Sequence, residues 1–407
     1  MLLVGTGAAA AAYAGASVEF TPAALQLVKN AKTFHVEVDQ HYVDSPDTQL
    51  PFAETVTVLL QYSGLTAAPA ETADVNIKVN VDGRALTRSY TDLAQGVAVK
   101  HYSGADVSGW YDLKAPDGRK AQVDFTSRRE PPLNITQTYE DPRMAPYAGA
   151  FGGFVENFTK IVALTRGAQP LIAVLRAQDS EDFFYTVPQL QYCAASELGH
   201  LGGPEAKTVL LEALQSFAPH RQAGAARGLR IMGDTAALPA LIAALTTVEG
   251  DVPEALDADG RWQTITHIDH AFDASETDAG FLEPWPEILS AIQSLPSPDK
   301  TARLLMALRH QDSALSRIGA ALILGRGQDA KACDPLLETA KSDTHLLVRT
   351  AAINALGELR DQRALTMLRT LARNGQDGPE KLAARRALER LAADAGAASA
   401  LAGNTPP

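Results

Sequence analysis

The chain has 407 residues, 46% of them apolar and 21% charged, with a formal net charge of −12. That excludes an intrinsically disordered chain. It also speaks against a nucleic-acid binder or a protein held on an anionic membrane, both of which need clustered Lys and Arg.

The N-terminus, "MLLVGTGAAAAAYAGASVEF", is a short apolar stretch of small residues ending in "AYAGA", similar to the h-region and cleavage site of a secretory signal. No Lys or Arg occurs before Lys29, so the usual positive n-region is missing. Residues 1–18 are a candidate signal peptide, which makes the expected location periplasmic or secreted, with cytoplasmic as the alternative. "GTGAAA" matches a dinucleotide fingerprint, but no alternating β/α pattern follows it, and nucleotide binding is not expected. No run reaches the ~18 apolar residues of a membrane span, so no stable membrane insertion is expected.

"TPAALQLVKNAKTF" reads as a helix with Thr21 as N-cap and Pro22 at its first position. Residues 33–140 then read as strands: "TFHVEVD", "ETVTVLLQYS", "DVNIKVNV", "GVAVKHYS", "KAQVDFTS" and "LNITQTY", separated by "DSPD", "VDGR", "SGAD" and "APDG". Strands with no intervening helix predict an antiparallel β domain over 19–145, a sandwich or half-barrel. The order of "VKNAKTFHVEVDQHY" and the hairpin "VNIKVNVDGRALTRSY" resembles the lipoprotein-carrier (LolA/LolB-like) superfamily. That resemblance implies a curved sheet around a cavity for a lipid ligand.

From about residue 155 the period turns helical and the sequence repeats. "AASELGHLGGPEAKTVLLEAL" lies over "AARGLRIMGDTAALPALIAAL" at a separation of 31, matching Leu198 with Leu229 and Gly202 with Gly233. "ILGRGQDAKACDPLLETA" lies over "ALGELRDQRALTMLRTLA" at 32, matching Gly325 with Gly357 and Asp329 with Asp361. A fixed period of this size predicts a solenoid in which each unit buries its stripe only against its neighbours. "IMGDTAALPALIAAL" and "VRTAAINALGELRDQRALTMLRTLA" resemble bacterial HEAT-like repeats of the phycobilisome-lyase type. The resemblance implies an armadillo-type α-solenoid whose second helices line a concave face. The fold expected is therefore α+β and multidomain: the β domain, then a HEAT-like solenoid of about six helical pairs over 155–395, with 396–407 as a disordered tail.

The third unit is interrupted by an acidic insertion, 251–286, whose first 33 residues hold nine Asp/Glu and one basic residue, Arg261. Such an insertion becomes a loop on one face, often the binding face. "LDADGRW" offers Asp257 and Asp259 as calcium ligands, but an EF-hand would need acids where Ala255 and Thr266 stand. "HIDHAFDASETD" offers His267, Asp269, His270 and Asp273, yet two imidazoles fall short of a stable zinc set. These four are weak metal candidates; no metal or other cofactor is expected. As a helix this segment would turn Trp262 and its apolar neighbours to one side and the histidines to the other.

Catalytic motifs are missing: no G-x-S-x-G, no H-E-x-x-H and no Walker loop occur. Cys193 and Cys333 lie in Ala/Leu-rich helical patterns and are expected as buried thiols, too far apart for a disulfide. Two residues before the aligned Leu, successive units offer Ser196, Arg227, Leu322, Asn354 and Arg386. Their variety suits a single shaped protein partner better than a polymer. Residues 341–391 hold ten Lys/Arg against six Asp/Glu, so the array is polarised, acidic in its middle and basic at its end. The expectation is a bacterial, non-catalytic protein-binding scaffold or adaptor of the cell envelope. Its partner-binding candidates are Asp257, Asp259, Trp262, Arg227, Asn354 and Arg386. The alternatives are a lipid carrier using the N-terminal sheet and, more distantly, a metal-dependent enzyme centred on 257–278.

Overall fold

The computed structural model describes residues 21–44, 46, 49–92, 97–129, 145–177, 186–247, 284–310, 312–375 and 378–402. The chain forms two compact units, one of residues 1–232 with 273–284 and one of 233–272 with 285–407. The first holds an N-terminal sheet and the opening helices of the solenoid; the second holds the rest.

The first unit begins with α1 (Pro22–Asn30), where Thr21 accepts a hydrogen bond from the Ala24 amide at 3.2 Å and Pro22 opens the helix, as its sequence predicts. Strand β1 (Thr33–Tyr42) follows, then α2 (Phe52–Tyr62), β2 (Thr66–Ala67), β3 (Val75–Asp92), β4 (Val97–Lys114) and β5 (Lys120–Arg129). They form one five-stranded sheet in the order β2-β1-β3-β4-β5.

Two expectations are corrected here. The sheet is mixed, because β1 pairs in parallel with both β2 and β3, and only β3-β4-β5 are antiparallel. The segment "ETVTVLLQYS" is helix α2, not a strand. Its Thr and Val residues favour strands, but Phe52, Thr55, Val56, Leu59 and Leu60 recur at helical spacing and all are buried. Tertiary burial outweighs the local β preference, and the helix supplies the crossover that lets β1 and β3 run parallel.

Of the turn signals, "APDG" does join β4 to β5, while "VDGR" and "SGAD" lie inside β3 and β4. Gly83 pairs with Val107, and the register slips where Leu86 faces Gly104 and Thr87 faces Tyr102, a bulge at Ser103. The stretch "LNITQTY" lies outside the described residues.

One face of the sheet is apolar. Val75, Ile77, Val79 and Val81 on β3, Val107, Tyr111 and Leu113 on β4, and Val123 and Phe125 on β5 are each at most 2% exposed. Helix α3 (Ala145–Arg166) lies on this face, and its Phe154 and Phe158 meet Tyr111 in tilted pairs with ring centroids 5.4 and 5.6 Å apart. Phe52 meets Phe151 and Phe154 edge-on at 5.1 and 4.4 Å. Such pairs add about 0.5–1.5 kcal/mol each beyond area burial. Arg166 closes the packing by donating to the carbonyls of Val28 in α1 and Ala31 just after it at 2.7 and 2.5 Å. Over the described residues, the face that a lipid carrier would keep open is packed with aromatic rings.

Helices then alternate between short and long. The pairs are α4 (Ala168–Arg176) with α5 (Thr186–Leu201), α6 (Pro204–Leu214) with α7 (Pro219–Met232), and α8 (Leu238–Thr247) with α9 (Pro284–Ser294). They continue as α10 (Lys300–Leu308) with α11 (Ala314–Arg326), α12 (Cys333–Ser342) with α13 (Leu346–Leu359), and α14 (Leu365–Asn374) with α15 (Pro379–Ala402). Among the described residues that makes six pairs, in line with the repeat spacing, and an α+β architecture.

Stacking of the long helices depends on small residues. A Cβ on Gly228 of α7 would sit 2.4 Å from the Ala195 carbonyl oxygen of α5. One on Gly325 of α11 would sit 2.6 Å from the Ala355 Cα of α13, and one on Gly357 of α13 2.7 Å from the Ala387 Cα of α15. Any side chain there would hold the helices apart.

Two further positions recur in four of the six pairs, those ending in α5, α7, α11 and α13. Four residues after the aligned Leu, the backbone turns left-handed, at Gly202 (φ 70°), Gly233 (φ 70°), Gln328 (φ 55°) and Arg360 (φ 57°). In three of these, the next residue is an Asp (Asp234, Asp329 or Asp361) whose carboxylate accepts from the amide two residues on and starts the next short helix. Seven residues before the same Leu, a long side chain caps the end of the preceding short helix. Gln191 donates to the Val174 and Ala177 carbonyls at 3.1 and 2.9 Å, and Gln222 to Leu214 at 3.2 Å. Arg317 and Arg349 do the same at His310 and Asp343, each at 2.9 Å.

Candidate functional site

The described residue closest to a constructed site is Arg227, the one partner-binding candidate that the structure surrounds with other polar groups. It stands in the middle of α7, two residues before Leu229, where the stripe of Ala and Gly passes close to α5. Its guanidinium donates to Glu156 of α3 at 2.8 Å and to the Tyr192 hydroxyl of α5 at 2.9 Å, and it lies 5.2 Å from the centre of the Tyr192 ring. The pair is largely shielded, with Arg227 and Glu156 side chains 17% and 27% exposed. Arg is suited to this double engagement because its fork and its flat face bind at once.

Next to this pair, on α5, lies Glu197, only 6% exposed. Burial, and after it the charge of Glu156, pushes its carboxyl up to about 7, with Lys160 and Arg227 pulling the other way. His200, exposed one turn further along α5, is shifted down, first by partial burial and then by Lys160 and Arg227. Cys193 is buried, and its thiol is pushed well up by burial and then by Glu156, which makes it a poor nucleophile. Three helices, α3, α5 and α7, thus bring two carboxylates, a guanidinium, a phenol, an ammonium and an imidazole onto one stretch of the first repeats. Such a gathering of polar groups on a scaffold of apolar helices, with Glu197, His200 and Cys193 shifted by burial and by their neighbours, marks a functional-site candidate.

In the second unit Asn354 on α13 and Arg386 on α15 are half-buried, but no comparable cluster surrounds them among the described residues. The equivalent Ser196 and Leu322 are buried, at 1% and 7% exposure, so this position does not form one open face from repeat to repeat. The charges of this unit serve the fold. Arg317 grips both carboxylate oxygens of Asp343 at 2.7 and 3.1 Å with side chains 9% and 10% exposed, and Arg349 meets Glu380 at 2.6 Å. Asp361 is held down to about 2, first by its bonds from Arg363, which also reaches Asp334 of the previous repeat at 3.0 Å. Cys333, fully buried beside Asp361, is pushed up to about 11, first by burial.

Asp257, Asp259, Trp262, His267, Asp269, His270 and Asp273 lie outside the described residues. Among the described residues no three His, Cys, Asp or Glu side chains gather as metal ligands. None of the described helices is long and apolar enough to cross a membrane. Sequence reading found Arg227 but missed Glu156, Tyr192, Glu197 and His200. The visible signal was Glu197 itself, a carboxylate within the buried run of Ala194, Ala195 and Leu198.

Residues 169–257 and 301–389 match the family of HEAT repeats. No curated protein matches the chain. Among solved structures, the complex of CpcE and CpcF of phycocyanin lyase from Nostoc sp. PCC7120 is 20% identical, covering 65% of this chain and 99% of that one at a TM-score of 0.28. Human deoxyhypusine hydroxylase in complex with glycerol is 17% identical, covering 59% and 98% at a TM-score of 0.25. The expectation that the chain is no enzyme is corrected by these two names: a lyase and a hydroxylase are among the structures it is similar to. Residues 169–257 and 301–389 are HEAT repeats, and the chain couples a HEAT-repeat solenoid to an N-terminal mixed sheet.

Proposed function

We propose that the chain is a protein-interaction scaffold that receives its partner on the first repeats, at the cluster of α3, α5 and α7. The observation that carries this reading is the Glu156–Arg227–Tyr192 group. It fixes a half-buried guanidinium, the kind of side chain that anchors protein interfaces, against the buried ring of Tyr192. Stacked HEAT repeats supply a helical support for such an anchor. The cell envelope is the proposed setting, on the strength of the apolar N-terminal stretch.

A photo-crosslinking residue placed at His200, exposed on α5, tests the scaffold reading, with Thr208, exposed on α6, as the control position. A discrete adduct is expected from His200 in cells, absent from Thr208 and lost when Arg227→Glu is added to a chain whose helical circular dichroism is unchanged. Adducts that are the same from both positions, or that survive Arg227→Glu, overturn the assignment.

A further inference from the structure

Positions that earlier repeats bury come to the surface in the last described pair, α14 and α15. Three residues before the aligned Leu, the long helices carry Ala195, Ala226, Ala321 and Ile353, all fully buried; α15 carries Arg385, which is exposed. The aligned Leu itself is buried at Leu324 and Leu356 but half-buried at Leu388. On the short helices, buried Cys333 of α12 gives way to half-buried Leu365 of α14, and buried Ile242 of α8 to exposed Arg369. This side of each pair meets the next one, because Gly325 and Gly357, one residue past the aligned Leu, close on the following long helix. Among the described residues no helix follows α15, and Glu389 stands in the place of those glycines.

A terminal repeat has to turn polar groups outward, but either sign of charge would serve. Here the sign is one-sided. Unlike the paired charges of this unit, Arg369, Arg373, Arg385 and Arg386 make no hydrogen bond or ion pair among the described residues. Glu380 is taken by Arg349, and Arg390 is paired to Glu358, which leaves Glu389 as the one acid beside the four. A guanidinium fork binds carboxylate and phosphate alike. Leu382 and Leu388, each three residues from Arg385, decide between them, since half-buried apolar surface suits a protein segment and offers nothing to a phosphate backbone.

We propose that the outer face of α14 and α15 docks an acidic amphipathic helix of a partner protein, its carboxylates on Arg369, Arg373 and Arg385 and its apolar side on Leu365, Leu382 and Leu388. A second copy of the same face would set arginine against arginine, which charge complementarity forbids. Glu389 keeps the docked helix further out than another repeat would sit, and the long arginine side chains span the gap. The surface belongs to the second unit and is independent of the site on the first repeats.

Fluorescence anisotropy tests this on the full chain, with a fluorescein-labelled peptide built on the heptad Glu-Leu-Leu-Glu-Ala-Leu-Glu and a control peptide with Gln at each Glu. Saturable binding of the acidic peptide is expected, about tenfold tighter than that of the control. Arg369→Glu with Arg385→Glu should weaken it about tenfold, and Arg369→Gln with Arg385→Gln about threefold. Arg309→Glu with Lys341→Glu makes the same charge change on two exposed residues elsewhere in the unit and should leave it unchanged, as should Arg227→Glu. Helical circular dichroism is matched across the variants. No binding, equal binding of the two peptides, or an equal loss in the Arg309/Lys341 or Arg227 variants overturns the proposal. So does tighter binding of a single-stranded RNA or a phosphatidylglycerol vesicle that is lost with Arg369 and Arg385.

Discussion

The first and last repeats of this solenoid use charge in different ways on one backbone plan. Both stack their long helices through glycines, Gly228 in the first and Gly325 and Gly357 in the last. Both cap the preceding short helix seven residues before the conserved-spacing Leu. In the first repeats that cap is a neutral amide, Gln191 or Gln222; in the last it is an arginine, Arg317 or Arg349, paired to Asp343 or Glu380. The last repeats thus place their charges at helix starts, where Arg317 and Arg349 find partners 26 and 31 residues further along the chain. The first repeats place theirs mid-helix, where Glu156, Glu197 and Arg227 meet only through stacking. Charge at the repeat's framework position holds the solenoid; charge away from it marks the site.

Arg317→Ala gives the largest expected effect on this contrast. It strands the Asp343 carboxylate, 10% exposed, without its two guanidinium bonds and removes the cap on His310. Breaking a buried pair from one side costs about 3–5 kcal/mol. Urea unfolding should show that loss for Arg317→Ala and a smaller one for Arg227→Ala, because Glu156 can turn to solvent. Equal losses would mean that Arg227 is framework too, and the division drawn between the two regions would fail.

Glu197→Gln comes next, with the opposite sign. Its carboxyl is raised from 4.5 to about 7, so the folded state holds a proton that the unfolded chain has released. Below about pH 4.5 both states are protonated and the group costs nothing. As pH climbs through the window from 4.5 to 7 the wild-type chain loses stability, by roughly 3 kcal/mol once that window is passed, at 1.36 kcal/mol per pH unit. The glutamine variant has no such slope. It should therefore be more stable than wild type by about 3 kcal/mol at pH 8 and by little at pH 5 in paired urea titrations. A parallel pH dependence in the two chains would show that Glu197 is already satisfied in the fold.

The solenoid was legible because each repeat copies its spacing. Leu198 and Leu229, Gly202 and Gly233, and Asp329 and Asp361 do the same physical work one unit apart, so the period appears in the letters alone. The sheet was only half legible. Thr55, Val56, Thr57 and Val58 carry a strand's local preference, and only the burial of Phe52, Val56, Leu59 and Leu60 on one side makes them a helix. The parallel pairing of β1 with β3 follows from that helix and was hidden with it. The site was legible at Arg227 alone. Glu156 lies 71 residues from Arg227, and nothing short of stacking α3, α5 and α7 brings the two to 2.8 Å. The carboxylate-rich 251–286 attracts notice by density, whereas Glu197 is a single acid distinguished only by the alanines around it.

The smallest expected effect tests whether the shared plan lies in the backbone or in the residues that occupy it. The left-handed position after α5, α7, α11 and α13 is glycine in the first two and Gln328 or Arg360 in the last two, with φ between 55° and 70°. An added Cβ at Gly202 meets nothing within 4 Å, so Gly202→Ala carries only the conformational cost, about 1 kcal/mol. The reciprocal change, Arg360→Gly, should recover at most the same amount, because the arginine side chain has an interaction of its own to lose. Gln328→Gly should recover less, since Gln328 Nε2 donates to the Gly325 carbonyl, and that bond goes with the side chain. Urea midpoints moving in opposite directions for Gly202→Ala and Arg360→Gly would show that the turn geometry is imposed by stacking and merely tolerated by the residue. Movement in the same direction would mean that the last repeats have built a side-chain role for Arg360 into a turn that the first repeats leave to glycine.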